Sequence, residues 1–336
     1  MSSGTPSPLR AWWARRPPAA GAAVMATGIL SVGLHLTHHE PLSRVALVLA
    51  CVAWLALAVN FASLLLFDRA KWVTRAGTPG ALTAVAATTV VGTRFSLLGW
   101  TAPAAALLAL AALLWPGLLL LVVQRWGRRM PGAVFLCCVA TEGLAVLGAS
   151  LATSTSTAWL AHVSLVCFWL GLALYVIALF RFDPRQVALG AGDHWVAGGA
   201  LAISALAGAE LLTAAHHGPY LWNHDDDAVL HDATVALLAV DLAWCVVLLV
   251  GEIVWPRPRY DVRRWSTVFP LGMTAAATLS VAAAVDVPWL EGPGRALVWF
   301  AVAVWLVVAA GAAVSARAGL RSAAAGDADV RSTTRR

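Results

Sequence analysis

Apolar residues gather into ten long stretches parted by short polar gaps, at roughly 17–36, 43–67, 78–95, 100–123, 131–152, 158–180, 195–215, 230–254, 265–285 and 294–316. As a helix, each is long enough to cross about 30 Å of hydrocarbon, the third only if it extends into a flank. The pattern predicts an all-α integral membrane protein of ten transmembrane helices, with polar tails at 1–16 and 317–336, the latter disordered. Across 336 residues the chain is 60% apolar and 12% charged, which excludes a soluble two-domain protein.

Charge gives the stretches a direction. Twenty of the 23 Lys and Arg residues precede the first stretch, follow the last, or fall in alternate gaps. Arg44, Arg94 and Arg295 are the exceptions; the opposite gaps hold Glu40, Asp225, Asp226, Asp227, Asp232, Asp286 and Glu291. Basic loops stay on the cytoplasmic side, so a multi-pass protein of the cell membrane with both termini cytoplasmic is expected. The net charge of +6 then reflects topology, and no nucleic-acid partner is implied.

Side-chain size divides the helices into two sets. Gly, Ala, Ser and Thr make up 56 of 102 residues in the odd-numbered stretches but 40 of 120 in the even ones. Small residues let helix backbones touch, and association in lipid depends on such packing. The odd helices are thus expected inside, as five successive hairpins around a central pore or a tight core, with the even helices facing lipid or other subunits. Pro17, Pro18, Pro79 and Pro131 open odd stretches, where no donor is lost. Pro270 lies inside the ninth and frees backbone carbonyls beside Phe269.

The odd stretches carry Met25-Ala-Thr-Gly-Ile-Leu-Ser31, Val91-Gly-Thr-Arg94, Val139-Ala-Thr-Glu-Gly-Leu-Ala-Val-Leu147, Gly199-Ala-Leu-Ala-Ile-Ser-Ala-Leu-Ala-Gly208 and Trp265-Ser-Thr-Val-Phe-Pro-Leu-Gly272. Together these segments resemble the tellurite-resistance/dicarboxylate transporter family, related to slow anion channels and to malate and sulfite transporters. The resemblance spans roughly 17–316. It implies a homotrimer with one pore per subunit, closed by an aromatic side chain on the ninth helix, where Phe269 and the adjoining Pro270 match.

Hydroxyls recur along the odd helices at Thr27, Thr88, Thr89, Thr93, Thr141, Ser204, Thr274 and Thr278, with Gly28 beside the first. Neutral donors suit an anion that must leave water and later move on. Each singly can instead bond back to its own helix carbonyl; as a set they point to a polar lumen. Glu142 lies mid-helix with no basic residue at its depth. A charge there costs at least about 2.5–3.5 kcal/mol, so it faces water or carries a proton. It is either glue between helices or a proton carrier for a passing anion. Asp241, on an even helix, suggests a bond between helices.

The expected function is transport of small anions, of the C4-dicarboxylate, sulfite, tellurite or halide and nitrate class, with no enzymatic activity and no cofactor. Two rivals stay open. A haem or other membrane oxidoreductase would need facing His pairs at membrane depth, and only His162 lies inside a stretch, with His35 at an edge. A metal-efflux carrier using Glu142, Glu210 and Asp241 would need clustered ligands. The stretch from His216 to Asp227 matches no strong metal spacing.

Overall fold

A computed structural model describes residues 20–217, 224–257 and 260–333. Within them the backbone is helical, and the only β-type pairing is a single bridge between Met130 and Phe182. The ten principal helices are α1 (Gly21–Leu36), α2 (Glu40–Phe67), α3 (Thr83–Leu97), α4 (Thr101–Val123), α5 (Leu136–Thr155), α6 (Ala158–Arg181), α7 (Val196–His217), α8 (His224–Val254), α9 (Trp265–Ala284) and α10 (Glu291–Thr333). Eight helical segments are long and apolar enough to cross a membrane. The other two, α1 with 16 residues and α3 with 15, are shorter, although a 3₁₀ turn at Pro79–Leu82 runs directly into α3.

Side-chain size sorts these helices into two layers. The most apolar window of the α5, α7 and α9 segments is 83 to 100% buried, whereas that of α2, α4, α6, α8 and α10 is 11 to 28% buried. Nearly all of α1 and α3 is buried as well. The inner helices close a ring in the order α1, α3, α5, α7, α9 and back to α1. Close approach explains the closure. A Cβ placed on Gly28 of α1 would sit 2.7 Å from Val90 of α3, one on Gly143 of α5 would sit 2.3 Å from Thr89, and one on Gly272 of α9 would sit 2.8 Å from Ile29.

Each outer helix packs on the inner helix before it and also on the next one. Thus α2 touches α1 and α3, α4 touches α3 and α5, α6 touches α5 and α7, and α8 touches α7 and α9. The last, α10, touches α9 and returns to α1.

Two terminal expectations meet the structure differently. The 1–16 tail lies outside the described residues, as do Pro17 and Pro18. The segment 317–333, expected as a disordered tail, continues α10 as helix to Thr333. Its alanines favour helix and no proline interrupts it.

Candidate functional site

The ring encloses a small central cavity. Its wall takes residues from all five inner helices: Ile29 and Val32 of α1; Thr89, Val90 and Thr93 of α3; Gly143 and Val146 of α5; Ile203 and Leu206 of α7; Met273 of α9. Its volume of about 10 Å³ holds roughly one water. Two threonine hydroxyls are the only side-chain polar groups in that wall, and Thr89 donates to the carbonyl of Ala86 while Thr93 donates to that of Thr89.

Phe269 lies one helical turn before Met273 on the same face of α9, toward the end of the ring where the inner helices begin. It is 1% exposed. A Cβ on Gly199 of α7 would come 2.9 Å from the Pro270 ring and 3.1 Å from Phe269, so the absent side chain at 199 is what lets α7 press on this pair. Phe269 is thus packed between α7 and α9, one turn from the wall residue Met273. Pro270 stays within continuous helix.

Six of the eight hydroxyls expected on the lumen lie outside this wall, and three of those meet tryptophans of the outer helices. Thr88 accepts the indole N–H of Trp54 at 2.9 Å, Thr141 accepts that of Trp115 at 2.9 Å, and Thr27 accepts that of Trp305 at 3.0 Å. Each of these threonines donates in turn to the carbonyl four residues earlier. Gly28 packs on Val90 and Ala50. Of the hydroxyls expected on the lumen, Thr89 and Thr93 reach the cavity. The physical reason is the supply of donors: outer-layer tryptophans must place an indole N–H somewhere dry, and a threonine facing outward accepts it.

Glu142 and Ser204 meet away from the cavity. Ser204 donates to Glu142 Oε1 at 3.0 Å, and the second carboxyl oxygen has no partner among the described residues. The Glu142 side chain fills the space above Gly171 of α6, where an added Cβ would fall 2.4 Å from Oε1. Thr274 faces Asp241 of α8; both Asp241 oxygens are buried, and neither makes a hydrogen bond of normal geometry among the described residues.

Three features escaped the sequence reading. Arg94, counted there with the loop charges, is fully buried on α3. Its Nη2 donates to both Glu40 oxygens at 2.8 and 2.9 Å, and its Nε donates to Ser43 Oγ at 3.0 Å. Met273 in the wall is the second feature. The third is a set of buried polar atoms without partners where α7 and α9 begin: Asp193 Oδ1, His194 Nδ1, Trp195 Nε1 and Thr267 Oγ1. Beside them Glu252 pairs with Arg257 at 2.8 Å and with Arg264. In the loop before α9, the hydrogen-bonded Arg263 guanidinium holds the Asp261 carboxyl below its ordinary range. The even spacing of arginines hid Arg94; its place inside a span, next to a threonine, was the available signal.

Among the described residues, no three His, Cys, Asp or Glu side chains come together as a metal-binding group. His162 is exposed on the outer face of α6, and His35 pairs with Glu40. Part of the stretch from His216 to Asp227 lies outside the described residues.

Ten helices in two layers, eight of them long enough to span, around a ring with a cavity at its axis, define a multi-pass helical membrane protein. A family model described as voltage-dependent anion channel (SLAC1) matches residues 15–313. The chain belongs to this family of membrane anion channels and transporters, in accord with the resemblance carried by its odd helices. It is also similar to an uncharacterized membrane protein found in two strains of Mycobacterium tuberculosis. The identity is 31% over 165 residues, covering 46% of this chain and 82% of that protein.

Proposed function

We propose that this chain forms an anion-selective pore: all ten helices cross the membrane as five hairpins, the inner ring surrounds the conduction path, and Phe269 with Pro270 gates it. The observation that carries this reading is a single cavity walled by all five inner helices, with Phe269 one turn below it. A cavity at which all five inner helices meet is where a conduction path would run.

The wall also ranks the substrates. It offers the Thr89 and Thr93 hydroxyls and no cationic side chain. Nothing there offsets the cost of dehydrating two charges, whereas a single charge needs only neutral donors. Monovalent anions such as chloride or nitrate therefore fit better than C4-dicarboxylates, sulfite or tellurite. The basic loops and the N-termini of the inner helices lie at one end, read as the cytoplasmic mouth, and their positive field attracts anions. The exposed outer helices face lipid or, in a homotrimer, neighbouring subunits.

The test is anion flux in proteoliposomes of purified wild-type protein and Phe269→Ala, with chloride, nitrate, sulfite and malate. The expected result is flux that rises in the variant and favours the monovalent ions. Equal flux in the two proteins would remove Phe269 from the gate.

A further inference from the structure

Each outer helix bridges two successive inner helices, so the ring has five outer joints. At three of them a polar tie is complete: an indole N–H of α2, α4 or α10 donates to a threonine on the next inner helix. The other two joints, on either side of α7, carry carboxyl groups. At the α6 joint, Glu142 of α5 takes the Ser204 bond and keeps one oxygen without a partner among the described residues. At the α8 joint, Asp241 faces Thr274 of α9, and neither of its oxygens makes a hydrogen bond of normal geometry among the described residues. Both side chains are fully buried.

Among the described residues no cation answers either carboxyl, and neither takes part in an ion pair. The titratable neighbours of Glu142 are Cys138 on its own helix and Cys167 of α6, with the Ser204 hydroxyl on α7. Those of Asp241 are Cys245 on its own helix and Tyr175 of α6, with Thr274 on α9 and Gly198 on α7. The two groups border the cavity without lining it: Gly143, which follows Glu142, and Met273, which precedes Thr274, are both in its wall.

We propose that Glu142 and Asp241 are proton-binding sites linked to anion occupancy of the lumen, so that an anion enters when they are protonated and its presence holds their protons in place. This rests on the reading of the cavity as the anion path. A carboxylate about one helix width, or ~10 Å, from an anion in a poorly screened interior lowers its occupancy roughly tenfold. Linkage makes the effect reciprocal, and the anion opposes ionisation by the same factor. Each proton comes from bulk water and returns to it when the anion leaves, so only O–H bonds are made and broken. The three indole–threonine ties themselves hold no group that titrates; the α2 joint also carries the Glu40–Arg94 pair with His35, which the Glu142 and Asp241 variants leave in place.

The experiment is chloride or nitrate flux in proteoliposomes from mildly acidic to alkaline pH, for wild type, Glu142→Gln, Asp241→Asn and the double variant. A pH-sensitive dye inside the vesicles reports accompanying proton movement. Wild-type flux is expected to fall by roughly tenfold or more as pH rises, with a smaller fall in each single variant. The double variant should keep its acid-side flux throughout and lose the dye signal. Ser204→Ala, which removes a bond donated to the carboxylate, should move the fall to higher pH. A flat wild-type profile, or a double variant that falls as wild type does, overturns the inference while leaving the pore intact. Absence of flux at every pH in both wild type and Phe269→Ala overturns the pore reading and this inference with it.

Discussion

The inner helices, of 15 to 22 residues, are shorter and less apolar than the outer ones, of 23 to 43, yet they are the ones buried. The α5 window is entirely buried and the α2 window is 11% buried. In water such a contrast would follow polarity. Here it follows side-chain size, because lipid is as apolar as leucine and only shape can decide which helices meet. The inner ring is held by backbone approach, and the outer layer by side chains lying in the grooves that approach leaves.

The strongest test of the contrast is at a charge that joins the layers inside an inner helix. Glu40 of α2 neutralises Arg94 inside α3. Glu40→Gln leaves a buried guanidinium without its counter-ion and is expected to cost about 3 kcal/mol, seen as a lower midpoint of thermal unfolding in detergent. An unchanged midpoint would show that the ring tolerates an isolated charge.

Next come the glycines. A Cβ on Gly132, where the chain enters α5, would lie 2.2 Å from the Asp193 carbonyl oxygen, and backbone cannot step aside. Gly132→Ala is therefore expected to destabilise by about 1–3 kcal/mol. Gly117 of α4 meets nothing within 4 Å, so Gly117→Ala should stabilise by up to about 1 kcal/mol through helix propensity. Equal responses at the two positions, measured by the same melts, would dissolve the distinction between layers. The smallest effect is expected for Trp115→Phe, which removes one indole bond to Thr141 and costs about 1 kcal/mol. Hydrogen exchange along α5 would localise that loss.

The layers themselves were legible in the sequence, because the count of small residues reports the property that sorts them. Which face of each inner helix looks inward was not. Thr27, Thr88 and Thr141 suggest a polar lumen when read along one helix, but their partners Trp305, Trp54 and Trp115 stand 278, 34 and 26 positions away. No local pattern announces an indole arriving from so far. Glu142 was legible as a group needing explanation, and its setting became plain only once Gly171 of α6 and Ser204 of α7 were seen around it. The α10 extension to Thr333 was hidden by its charges, which read as a tail.

The contact of α10 with α1, sealed by Trp305 and Thr27, has a consequence for how the molecule is made. A ring whose last inner helix, α9, must lie against its first cannot close while synthesis is under way. Until the ribosome has released the α9–α10 hairpin, α1 and α7 present two open flanks, and the future interior is a trough that lipid can enter. The keystone of this arch is its last stone, and a nascent chain lacking it is a membrane protein without an interior.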